Sequence, residues 1–91
     1  MKVQIEKSFE RDVNKIKDDK LLRKLLNIIS KIEKAKSIYE IPQVKKIHGY
    51  NLFFRIKIGD YRLGLEELPG HGVSFIRFMH RKEIYRYFPY K

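Results

Sequence analysis

The sequence contains no cysteine, which excludes a disulfide framework and a thiolate metal site and gives no reason to place the chain in an oxidising compartment. A cytoplasmic protein is the expectation. Its three histidines, His48, His71 and His80, lack the spacing of metal ligands, so no metal and no other cofactor is expected. No apolar run approaches the ~20 residues that a membrane-spanning helix needs. The opening MKVQIEKSFERD is charged where a signal peptide carries its apolar centre. A soluble, unprocessed chain follows, with no membrane partner.

Acidic residues are also scarce. Eleven Asp and Glu stand against twenty-one Lys and Arg, giving a formal charge of +10 and a sequence pI near 9.9. A field of this sign draws polyanions such as nucleic acid, a ribosome or an acidic protein. The excess is spread along the chain rather than gathered in a tail, so the folded domain itself is the basic object. Ninety-one residues support one core, and a single domain over 1–91 is expected.

Val3 and Ile5 alternate with polar neighbours, which suits a short first strand, and Ser8 is placed to cap a helix. Phe9, Val13 and Ile16 then recur at helical spacing. The Asp18-Asp19 pair marks a break and a new cap before the apolar series Leu21, Leu22, Leu25, Leu26, Ile28, Ile29 and Ile32. Lys20, Lys24, Lys31 and Lys34 form the solvated side of this second helix and receive no specific role. From Ser37 to Gly49 the helical period is lost around Pro42, which predicts a connection with at most one short helical turn.

Three strands follow. Gly59-Asp60 is a two-residue hairpin turn, so Ile58 lies opposite Tyr61, Lys57 opposite Arg62, Ile56 opposite Leu63, Arg55 opposite Gly64 and Phe54 opposite Leu65. Pro69-Gly70-His71-Gly72 returns the chain into Val73 to Met79, with Ile76 and Phe78 on the apolar face and Arg77 across from Gly64. Side-chain alternation puts Arg55, Lys57, Arg62 and Arg77 on one surface around a position without a side chain, where a phosphate has room to approach. A solvated sheet face is ordinarily polar, but it usually mixes both signs of charge, and here Glu66 is the one acid the strands offer it. Phe53 and Phe75 project to the same side, where the C-terminal tail is expected to cover them. The layout is α+β: a small antiparallel sheet in β-α-α-β-β-β order, two helices packed on one face and a short C-terminal tail, with the cationic face left open.

Four segments, FERDVNKI, KKIHG, FFRIKIGDYRLGLEE and HRKEIY, resemble the RelE/ParE toxins of bacterial and archaeal toxin–antitoxin systems over nearly the whole chain. The last two carry the resemblance, since members commonly read R-I-x-x-G-D-Y-R and then H-R-x-x-V-Y. It implies a toxin neutralised by a co-encoded acidic antitoxin. RelE-like members enter the ribosomal A site and cut messenger RNA, whereas ParE-like members inhibit DNA gyrase on the same fold, and fold alone does not choose. In RelE-like nucleases basic hairpin residues and a C-terminal Arg and Tyr surround the scissile phosphate. Arg55 and Lys57 match the basic pair, Arg62 the arginine after the turn, and Arg81 and Tyr85 the C-terminal pair. Position 80, here His80, is one where relatives carry Lys or His. The resemblance thus implies an endoribonuclease with Lys57, Arg62, His80, Arg81 and Tyr85 catalytic and with Arg55 and Arg77 holding RNA phosphate.

The sequence departs from the pattern twice. Arg55 stands where lysine is familiar, and a guanidinium does not act as a base. Met79 stands where relatives often carry glycine and narrows the approach to His80 and Arg81. The expected reaction is attack of a ribose 2′-hydroxyl on its own 3′-phosphate, with Arg62 and Arg81 as bidentate stabilisers. Histidine ordinarily titrates nearest neutrality, at about 6.5, whereas lysine and tyrosine, ordinarily near 10, serve only where cationic neighbours lower them. His80 or Lys57 is therefore the acid or base. Tyr85 is read either as a stacking partner for a base or as part of an aromatic tail with Tyr87, Phe88 and Tyr90. Glu66 is read as screening the arginines, and His48 and His71 as loop residues. Gyrase inhibition and a non-catalytic relative are the competing readings.

Overall fold

A computed structural model describes residues 1–89. Strand β1 (Lys2–Ile5) leads into helix α1 (Lys7–Asn14) and helix α2 (Asp19–Lys34), and a short 3₁₀ turn (Ile38–Glu40) follows. Strands β2 (Val44–Lys46), β3 (Phe53–Ile58), β4 (Tyr61–Leu68) and β5 (Gly72–His80) complete the sheet before a last 3₁₀ turn over Ile84–Arg86. The sheet order is β1-β5-β4-β3-β2. Its first pair is parallel and the others are antiparallel, so the sheet is mixed and longer by β2 than the sequence reading. No helix among the described residues is long and apolar enough to cross a membrane.

Asp18 caps α2 as anticipated. Its Oδ1 accepts from the amides of Lys20 and Leu21 at 3.0 and 3.2 Å, satisfying donors that a helix start leaves orphaned. Ser8 does not cap α1. The cap position is Glu6, and the Ser8 hydroxyl, already inside the helix, donates to the Ile76 carbonyl at 2.6 Å. On α2, Leu21, Leu25 and Ile32 are buried against the sheet, while Leu26 is 63 % exposed and stands outside the apolar stripe. The main core joins these residues to Phe9, Phe54, Ile56, Ile58, Leu63, Leu65, Phe75 and Phe78.

The β3–β4 register is the one read from the Gly59-Asp60 turn, from Ile58 opposite Tyr61 to Phe54 opposite Leu65. β5 holds to the expected alignment as far as Arg77 opposite Gly64, and then shifts: Leu65 lies opposite Phe75. Ile76 is the extra residue of a bulge. A single inserted residue reverses the alternation behind it, so Phe75 enters the main core with its ring 5.3 Å from that of Phe9, and Ile76 turns to the opposite face. Both residues are on the side contrary to the sequence expectation.

β1 accompanies β5 only from Gly72 to Phe75, which leaves the rest of that edge without a strand. Helix α1 supplies the missing partners. Ser8 donates to the Ile76 carbonyl, and the Asp12 carboxylate accepts from the Phe78 amide at 2.9 Å. Backbone groups that a bare edge would leave to solvent or to another chain are thus paired within the fold.

Candidate functional site

The face away from the helices is not open. Ile76, Ile84 and Phe88 form a second buried cluster there, with Ile47, Phe53 and Met79 packed against it. The last 3₁₀ turn carries Ile84 down onto the sheet, and Phe88 follows one turn later at 1 % exposure. Its ring occupies the space over Gly64: a Cβ on that glycine would stand 2.8 Å from the ring carbons. The gap left by Gly64 therefore receives Phe88, not a phosphate. Phe53 meets the same ring edge to face at 5.7 Å, the covering by the tail that was expected of it. Tyr90 lies outside the described residues.

Cations remain on the β2–β3 side and at the hairpin end. Arg55 is half-buried and Lys57 exposed, and antiparallel partners share a face, so Lys45, opposite Arg55 through β2, joins them. Lys45 escaped the sequence reading because three residues are too few to show an alternation. Lys57 also borders a pocket of about 210 Å³ with Lys24, Asn27, Ile28, Ile58 and Gly59, which brings a lysine of α2 to the hairpin end.

Arg62, opposite Lys57, is 9 % exposed. One terminal nitrogen donates to the carbonyls of Gly59 and Tyr61, both at 3.0 Å, which ties the guanidinium to the turn. Beside the same turn lies the C-terminal motif. The Arg81 amide donates to the Asp60 carbonyl at 2.8 Å, and the Arg81 guanidinium stands 4.0 Å from the Asp60 carboxylate, both side chains largely exposed. The hairpin tip and the His80-Arg81 turn are thereby one structural unit.

His80 follows Phe78 onto the helix side, opposite Tyr61, where its ring meets that of Tyr61 edge to face at 5.6 Å. Lys57 and Arg62 project from the other face. The Nδ1 of His80 accepts from the Lys82 amide at 3.1 Å, so the neutral ring carries its hydrogen on Nε2. Tyr85 is 54 % exposed on the last turn. Arg77 stands apart from the cations it was grouped with: its Nε and Nη2 donate to the two oxygens of Asp12 at 2.7 and 2.9 Å. A guanidinium already paired with a carboxylate is poorly placed to hold a phosphate as well. Arg77–Asp12 and Arg81–Asp60 are ion pairs of this region, and among the described residues no cluster of three or more His, Asp or Glu side chains could hold a metal ion.

The family model described as the ParE toxin of type II toxin–antitoxin systems, parDE, matches residues 3–85. Toxin RelE3 of Methanocaldococcus jannaschii is 36 % identical over 90 residues, which cover 98 % of this chain and all of the relative. The crystal structure of a RelB–RelE antitoxin–toxin complex from Methanococcus jannaschii contains a chain with a TM-score of 0.79 and 32 % identity, over 94 % of this chain and 99 % of that one. The RelBE2 complex of Mycobacterium tuberculosis has the same fold at a TM-score of 0.59 and 20 % identity, over 88 % of this chain and 96 % of the matched one. Two helices against a mixed five-stranded sheet, the hairpin and C-terminal motifs, and these matches across almost the full length lead to one assignment: the chain belongs to the ParE toxin family of type II toxin–antitoxin systems, within the RelE/ParE superfamily.

Proposed function

We propose that the toxin is a RelE-like endoribonuclease that cuts messenger RNA in the ribosomal A site and is held inactive by an acidic antitoxin. The observation that carries this reading is the docking of the Arg81 turn on the Gly59-Asp60 hairpin, which gathers Lys57, Arg62, His80 and Arg81 at one end of the sheet. Cations from separate segments that converge in this way suit a phosphoryl group acquiring negative charge.

In the proposed reaction the ribose 2′-oxygen bonds to its own 3′-phosphorus while the bond to the 5′-oxygen breaks, leaving a 2′,3′-cyclic phosphate and a 5′-hydroxyl. Arg62, Arg81 and Arg55 hold the phosphoryl oxygens. Lys57 and His80 share the proton transfers: one takes the 2′-hydroxyl proton and the other gives a proton to the departing 5′-oxygen. An in-line displacement needs acid and base on opposite sides of phosphorus, and these two side chains leave opposite faces at the same end of the sheet. Tyr85 is available to stack on the base beside the scissile phosphate and so to hold the 2′-oxygen in line for attack.

The antitoxin reading has two supports. A +10 domain attracts an acidic, partly disordered segment that replaces RNA phosphates, and the RelE chain at 32 % identity was crystallised with RelB. The parDE description of the matching family model favours a second reading, inhibition of DNA gyrase. Primer extension on cellular messages after induction of wild type and Arg81→Ala, with plasmid supercoiling measured in parallel, separates them. Cleavage by wild type, lost in Arg81→Ala, is expected. Intact messages with altered supercoiling would establish the gyrase reading instead.

A further inference from the structure

The 3₁₀ turn that bears Tyr85 is anchored by Ile84 and Phe88, at 0 % and 1 % exposure. Upstream, the Arg81 amide ties the segment to Asp60. The exposed side of the turn, where Tyr85 stands, is oriented by a further contact, made by Tyr87. Although 47 % exposed, its ring lies against the guanidinium of Arg77, whose Cζ is 5.0 Å from the ring centre. That guanidinium is itself held in plane by the bidentate hydrogen bonds to Asp12, and the Asp12 side chain, 5 % exposed, also accepts the Phe78 amide. A free arginine would sample many orientations, whereas one forked onto a buried carboxylate presents a single fixed cationic face.

We propose that Asp12 and Arg77 are positioning residues for the C-terminal segment: fixed to α1 through Asp12, Arg77 orients Tyr87 and with it the turn on which Tyr85 stands. The bulge at Ile76 belongs to the same device. It sends Ile76 beneath Ile84 and Phe88, while Ser8 secures the Ile76 carbonyl. Helix α1, remote in sequence from the C-terminal segment, thereby sets the pose of an RNA-facing tyrosine. The catalytic part of this inference rests on the endoribonuclease reading; the geometric part does not.

The test compares Tyr87→Leu, which removes the ring, with Tyr87→Phe, which keeps the ring and removes the hydroxyl. The double variant Asp12→Asn/Arg77→Met removes both charges together, so no carboxylate is left buried without its partner. Circular dichroism checks folding, and the double variant decides the matter should Tyr87→Leu not fold. NMR signals of Tyr85 are expected to shift or broaden in Tyr87→Leu and in the double variant and to stay at their wild-type positions in Tyr87→Phe. In message cleavage on programmed ribosomes, kcat should fall about tenfold or more in the first two with KM changed less than about twofold, and Tyr87→Phe should retain wild-type rates. Unmoved Tyr85 signals, a raised KM at constant kcat, or Tyr87→Phe as impaired as Tyr87→Leu would each overturn the proposal. If wild type leaves messages intact, the endoribonuclease reading fails, and the Tyr85 signals alone decide whether Arg77 positions the turn.

Discussion

The ring of Phe88 rests on Gly64 so closely that a single added methyl on the glycine would overlap it, at 2.8 Å from two ring carbons. Gly64→Ala must therefore push the tail away or strain the sheet, and overpacking of this kind costs about 1–3 kcal/mol. Phe88→Ala removes the obstacle along with its own packing. In a double-mutant cycle the Gly64→Ala cost should nearly vanish in the Phe88→Ala background, as read from urea midpoints at constant slope. Equal costs in both backgrounds would mean that the tail does not sit on Gly64 in solution.

Asp12 offers a second test of how the sheet edge is closed. It accepts from the Arg77 guanidinium and the Phe78 amide in a nearly waterless position. Asp12→Ala leaves a largely buried guanidinium and an amide unpaired, for which about 3–5 kcal/mol is the expected loss. That is a large share of the ~5–15 kcal/mol that holds a domain together. Asp12→Asn keeps an acceptor oxygen for one donor and should lose less. Chemical denaturation of the two variants gives the comparison, and a loss under about 1 kcal/mol for Asp12→Ala would refute the pairing.

Much of this was legible in the chain and some of it was not, for physical reasons that particular residues make plain. Strict alternation through Phe54, Ile56 and Ile58, closed by a glycine at φ 60°, fixes a register without any tertiary knowledge. The bulge left no such mark, because Phe75 and Ile76 are both apolar and either could face either side. Gly64 announced that something approaches the backbone, but a glycine cannot say whether the visitor is a phosphate or a phenyl ring. Asp12 carries no mark of its role in the sequence, because that role depends on β1 ending opposite Phe75, a fact of tertiary structure alone. Of the site, the gathering of Lys57, Arg62 and Arg81 at the hairpin end follows from register. The engagement of Arg77 by α1 does not.

Arg62 and Arg81 should lose activity alike and stability differently. Removal of either guanidinium is expected to slow message cleavage on the order of 10²-fold, as for a single lost oxyanion donor. Arg81 is largely exposed and its pairing with Asp60 is long, so Arg81→Ala should unfold like wild type. Arg62 is nearly buried and bonds two carbonyls of its own turn; Arg62→Ala should cost about 1–3 kcal/mol as well. Paired measurements of cleavage rate and denaturation midpoint decide the matter. Arg62→Ala with full stability would mean that those carbonyl contacts do not form.

Salt dependence distinguishes cations that meet RNA from those that serve the fold. Binding to a single-stranded RNA releases counterions, so the logarithm of the association constant falls with the logarithm of salt by roughly 0.7 for each phosphate neutralised. Lys57 is exposed and lies outside the ion pairs seen among the described residues, so Lys57→Ala should reduce the slope by about that amount. Lys45, its neighbour on the same face, should behave alike if RNA runs along β2 and β3. Arg77 is already neutralised by Asp12, and Asp12→Asn/Arg77→Met leaves the net charge unchanged, so its slope should match wild type. Titrations of a non-cleavable RNA, 2′-deoxy at the cut position, across a series of salt concentrations supply the slopes. A slope lowered by the double variant but not by Lys57→Ala would return Arg77 to the phosphate-binding surface and remove Lys57 from it.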